Sequence, residues 1–184
     1  MVNFNLKLLA IILAFLAPVY VSAAPDDGLK ILIIRHAEKP AKGDNLSCQG
    51  ENRALELGSM IAKTFGKPSK IYVPTPKSGE ATKRARMFET ASPIATRFDV
   101  SINSKYSIAD FPNITKSVLM EKGLVLMVWQ HENIPPLAKA LGVKNPPAWI
   151  KTDYDSIWVV SFKKGKATLT IGKEGLNPQA NCPF

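Results

Sequence analysis

Two unbroken aliphatic runs dominate the hydrophobic pattern of this chain, Lys30-Ile31-Leu32-Ile33-Ile34 and Leu124-Val125-Leu126-Met127-Val128-Trp129. Runs of this kind, with no alternating polar positions, predict strands covered on both faces in a parallel sheet. The first stops at Arg35-His36 and the second at Gln130-His131. A shorter run, Ile71-Tyr72-Val73, predicts another strand, ended by Pro74-Thr75-Pro76. Between the strands the spacing is helical. Ser47 to Phe65 predicts a helix that Ser47 can cap and Gly50 weakens, with Leu55, Leu57, Met60 and Ile61 on its apolar side and Gly66-Lys67-Pro68 beyond its end. Glu80 to Phe98 predicts a second helix, basic at its start, burying Met87, Phe88, Ala91, Ile94 and Ala95, with a kink or break at Pro93. Val100 to Ile108 fits neither pattern, and Asn113 to Glu121 predicts a third helix. Ile134 to Leu141 predicts a fourth, with Pro135 and Pro136 in its first turn and Gly142 closing it. Asp155 to Phe162 and Lys166 to Ile171 flank Lys163-Lys164-Gly165 and predict a hairpin. Strands alternating with helices imply an α/β fold, a three-layer sandwich whose mostly parallel sheet has helices on both faces and the hairpin at one edge.

Composition narrows the class. With 184 residues, 46% hydrophobic and 21% charged, the chain can bury a real core, and collagen-like, low-complexity and wholly disordered readings fail. No internal repeat or linker divides it, so residues 24–184 are expected to form a single domain. The formal net charge of +9 favours anionic ligands. Residues 1–23 carry one charge, Lys7, then an apolar stretch from Leu8 to Val21 interrupted by Pro18 and ending in Val21-Ser22-Ala23. That is the build of a signal peptide cleaved after Ala23, and it falls short of the roughly 20 apolar residues that cross a bilayer. No cysteine follows the apolar stretch, so no stable membrane anchor is expected after cleavage. The expected location is secreted, in the periplasm. An oxidising compartment would let Cys48 and Cys182 pair, the alternative being two unpaired thiols. A bridge closing so long a loop contributes on the order of 4–5 kcal/mol in the entropic model.

The chain contains two histidines, and each lies just beyond an aliphatic strand. In open α/β sheets, ligands bind outside the carboxyl ends of the strands, so His36 and His131 can face one cleft. Arg35 precedes the first histidine, and Arg84 and Arg86 open the basic helix. Guanidinium groups match phosphate oxygens and stay charged at any working pH. Two imidazoles with such arginines predict a phosphoryl pocket in which a neutral imidazole attacks phosphorus and water hydrolyses the covalent intermediate. The leaving alcohol needs a proton, and Glu132 is the candidate acid. A zinc site built from His36, Glu38, His131 and Glu132 is the competing reading. It lacks a third histidine or a paired-cysteine motif, and the arginines would repel a cation. No metal and no cofactor are therefore expected.

Arg35-His36-Ala37-Glu38 resembles the Arg-His-Gly signature of the histidine phosphatase superfamily, which includes the phosphoglycerate mutases. Leu46-Ser47 with Gly50 and Arg53-Ala54 is similar to the segment opening the helix after the first strand in that family. Arg86 with Glu89-Thr90-Ala91 resembles its second phosphate arginine, and His131 in Trp129-Gln130-His131-Glu132 falls where its second histidine lies. The resemblance spans residues 30 to 142 in order. It implies a phosphoglycerate mutase-like fold, His36 as the phosphorylated nucleophile, and Arg35, Arg86 and His131 as ligands of the phosphoryl group. The pattern departs at Gln130, where the family usually has glycine, and in the longer spacing between Pro76 and Arg86, which leaves Arg84 as the alternative arginine. Glu132 resembles the His-Asp pair of the acid phosphatase branch.

The sequence thus points to a metal-independent phosphomonoesterase acting on a phosphorylated small molecule, saccharide or protein. The alternative is a non-catalytic protein of the cell envelope that binds an anion or a partner in the same pocket. Glu38 is expected to steady the loop after His36. Arg53 and Arg97 are expected to be solvated helix residues, and Lys63, Lys67, Lys70, Lys163, Lys164 and Lys166 surface charge. Trp129, Trp149 and Trp158 suit core or rim packing better than base stacking, and no nucleic-acid partner is expected.

Overall fold

The computed structural model describes residues 24–76 and 84–182; the expected signal peptide, 1–23, and residues 80–83 of the second helical candidate lie outside them. The six strands are β1 (Lys30–Arg35), β2 (Lys70–Tyr72), β3 (Ile102–Asn103), β4 (Leu124–Trp129), β5 (Ser156–Lys163) and β6 (Lys166–Lys173). Four helices intervene: α1 (Cys48–Thr64), α2 (Ala85–Phe98), α3 (Phe111–Val118) and α4 (Ile134–Ala140). The strands form one sheet in the order β3-β2-β4-β1-β5-β6. The first four are parallel, and the β5–β6 hairpin adds to β1 antiparallel.

This order explains the sequence pattern. β1 and β4 lie in the middle of the sheet, paired from Lys30↔Leu124 to Arg35↔Trp129. Every residue of β4, and every residue of β1 after Lys30, is buried. Each such aliphatic side chain contributes roughly 1.5–3 kcal/mol by leaving water. Right-handed crossovers then assign the layers. The chain steps from β1 to β2 to β3 in one direction, which puts α1 and α2 on one face, and returns from β3 to β4 in the other, which puts α3 on the opposite face. α1 packs on α2, and α3 packs on α4, as this assignment requires.

Local signals set the element ends. The Ser47 hydroxyl accepts from the Gly50 N–H and caps α1. Lys164 and Gly165, both in the left-handed region, form the two-residue hairpin turn. Pro93 does not break α2, which runs unbroken through it. Met87, Ala91 and Ile94 pin that helix to the core on either side of the missing hydrogen bond. Phe88 and Leu55, expected inside, are 39% and 64% exposed. Trp129, Trp149 and Trp158 are core residues. Cys48, the first residue of α1, is bridged to Cys182, joining positions 134 residues apart, and Asn52 of the same helix donates to the Gln179 and Asn181 carbonyls. No helix among the described residues is long and apolar enough to cross a membrane.

Candidate active site

The chain leaves β1 toward one side of the sheet and β4 toward the other, so the gap beyond their carboxyl ends is a switch point where a cleft must open. Both histidines stand there. The His36 N–H continues the ladder to the Trp129 carbonyl at 2.9 Å. His131 begins a single 3-10 turn, His131–Asn133, immediately after β4. A cleft of about 340 Å³ brings together Arg35, His36, Arg84, Arg86, His131 and Glu132 with Lys39, Met87, Gln130 and Lys151. All six residues assigned from sequence to the phosphoryl chemistry thus line one cavity.

His36 is 4% exposed. Its Nδ1 lies 2.7 Å from the Ala37 carbonyl oxygen. A carbonyl only accepts, so Nδ1 carries the proton and Nε2 keeps its lone pair. Burial, reinforced by the charges of Arg35 and Arg86, holds this imidazole's pKa down at about 4. It is therefore neutral across the physiological range. Burial and Arg35 also lower the pKa of His131, whose Nδ1 is buried without a partner among the described residues. The His131 Nε2 is 3.7 Å from a Glu132 carboxylate oxygen. The Glu132 side chain is 64% exposed and its other oxygen accepts from the Gln130 amide.

α2 acts as a clamp on the nucleophile loop. The Thr90 hydroxyl accepts from the Ala37 N–H at 2.9 Å and donates to the Arg86 carbonyl at 2.7 Å. Glu89 accepts from the Leu46 N–H, and the Arg86 guanidinium donates to the Asn45 and Gly43 carbonyls. The Glu89-Thr90-Ala91 motif is thus a set of ties between α2 and the loops following β1.

Arg35 is held by a segment that the sequence reading overlooked. Its guanidinium donates to the Lys151 and Asp153 carbonyls and to the Tyr154 hydroxyl, and it lies 3.7 Å from the centre of the Tyr154 ring. Its Nε is buried and has no partner among the described residues. Nothing in the local sequence around Tyr154 signals that contact, which depends on how the loop before β5 folds back.

Arg53 corrects the sequence expectation. It is 5% exposed rather than solvated, and chelates both oxygens of Glu38 while donating to Glu174 at 2.6 Å. The signal was present: buried Gly50, Arg53, Ala54, Leu57, Gly58 and Ile61 follow one helical stripe, and a cation on that stripe demands a buried carboxylate. Through this pair Glu38 steadies the loop two residues after His36, as expected. Gly50 completes the fit, since a Cβ there would collide with the Glu38 carbonyl oxygen.

Burial pushes the Glu174 carboxyl up to about 8, outweighing its pairing with Arg53. The unfolded value is about 4.5. Between these limits the folded protein binds a proton that the unfolded chain does not. The contribution of Glu174 to stability is full below about pH 4.5 and is lost as pH rises through about 8. In denaturant titrations at pH 4 and pH 9, Glu174→Gln should match the parent at pH 4 and exceed it at pH 9; an unchanged difference between the two pH values contradicts this assignment.

By sequence the chain matches no family model and no curated protein. Solved structures are similar to it in fold. The protein histidine phosphatase SixA complexed with tungstate superposes with a TM-score of 0.61 at 13% identity, over 79% of this chain and 97% of the other. A phosphohistidine phosphatase SixA from Nakamurella multipartitia superposes at 0.53 and 15% identity, over 84% and 98%. The three-layer arrangement is therefore the fold that these two solved structures share with this chain.

Proposed function

We propose that this protein is a phosphomonoesterase working through a phosphohistidine. The observation that carries the reading is His36 itself, a buried imidazole kept neutral and locked in the tautomer that leaves Nε2 free, on the floor of a cationic cleft. The Nε2 lone pair attacks phosphorus and the ester P–O bond breaks, with Glu132 giving its proton to the leaving oxygen. Water, deprotonated by the Glu132 carboxylate, then attacks phosphorus. The P–N bond breaks, and inorganic phosphate leaves with His36 neutral again. Arg35, Arg86 and His131 neutralise the phosphoryl oxygens in both steps, with Arg84 at the same cleft. One similar fold is that of a protein histidine phosphatase that holds tungstate, a tetrahedral oxyanion like phosphate. The disulfide, together with the signal-peptide pattern of residues 1–23, supports activity outside the cytosol, in the periplasm.

Purified protein should hydrolyse an aryl phosphate with chelator present, and acid-free quenching should trap phosphate on His36. The acidic limb of its kcat/KM should lie near pH 4, where His36 protonates. An acidic limb near 6.5 would mean that another group sets the rate. Tight phosphate binding with no turnover at any pH would instead favour the non-catalytic anion-binding role.

A further inference from the structure

Five cationic side chains line the cleft, Arg35, Lys39, Arg84, Arg86 and Lys151, against one carboxylate, Glu132. The mechanism above employs only the arginines. Lys39 extends from the loop three residues beyond His36, and Lys151 from the segment whose carbonyl anchors Arg35. Both are exposed, and both lie close enough to His131 to depress its proton affinity. Among the described residues neither has a carboxylate within ion-pair distance. A lone surface lysine is ordinary solvated charge. Two that line a pocket already rich in arginine repel their neighbours, and an anion that extends beyond one phosphoryl group gains from neutralising them.

We propose that Lys39 and Lys151 form a second anion subsite at the mouth of the cleft, which selects phosphate esters whose leaving group carries a further negative charge, such as a second phosphate or a carboxylate. The proposal rests on the phosphomonoesterase reading and specifies its substrate class. The cleft, at about 340 Å³, has the size of a site for a small ligand.

Two esters of similar reactivity test it, phenyl phosphate and 3-carboxyphenyl phosphate. The parent should prefer the carboxylated ester by about tenfold in kcat/KM, the worth of roughly one well-placed charge pair. In the double variant Lys39→Gln/Lys151→Gln the preference should fall to about one. An unchanged ratio, or equal losses for both esters, overturns the subsite, the latter outcome showing that the lysines merely steer any anion. If the parent turns over neither ester, the phosphomonoesterase reading fails, and equilibrium binding decides the subsite separately. Methylenediphosphonate should then bind about tenfold more tightly than inorganic phosphate, with the advantage gone in the double variant; equal affinities in the parent overturn it.

Discussion

Replacing His36 with alanine is expected to lower kcat toward an aryl phosphate by at least about 10⁴-fold, the scale on which enzymes lose a covalent nucleophile. Inorganic phosphate should still bind, because Arg35, Arg86 and His131 remain around the site. The large effect follows from the geometry. Arg35 and Arg86 carry permanently protonated guanidinium groups with no lone pair to offer phosphorus, so neither can serve as a substitute nucleophile. His36 is buried and bonded, so the alanine variant also risks local collapse. His36→Gln, which keeps volume and a donor for the Ala37 carbonyl, should show the same loss of turnover with the fold retained. A fall of less than tenfold in both would mean that water attacks phosphorus directly, and would sink the covalent route.

Arg53→Ala should be the most damaging single change to stability, at about 3–5 kcal/mol, because it strands the buried Glu38 carboxylate and takes from Glu174 its one side-chain partner among the described residues. For a domain of this size that is a fall of roughly 6–20 °C in Tm, measurable by calorimetry. Activity should fall with it even well below the melting range, since Glu38 would lose the partner that steadies the chain two residues beyond His36. A loss below about 1 kcal/mol would show that water reaches Glu38 and Glu174 when the guanidinium is gone.

The parts of the molecule legible in the sequence are those in which the hydrophobic pattern itself specifies a location. β1 and β4 must be central because both their faces are apolar, and central parallel strands place Arg35-His36 and Gln130-His131 beside each other. The arginines of α2 follow from the next strand–helix unit. What escaped notice depends on partners from far along the chain. Tyr154 meets Arg35 across a loop, and Glu174 reaches Arg53 from just beyond the last strand. Leu55 and Phe88 failed for a simpler reason: side chains of the right kind one position off the buried stripe stay on the surface. Pro93 shows tertiary packing overriding a local rule, since a helix anchored on both sides of a proline tolerates one missing bond.

The two imidazoles issue from neighbouring strands locked in register over six residue pairs, whereas Lys39 and Lys151 come from loops on the rim. Reacting centre and entrance are therefore separable modules. Exchanging the Lys39 and Lys151 side chains, while the loop backbones that hold Arg35 and Arg86 are kept, should swap one ester for another and leave the point of attack where it is.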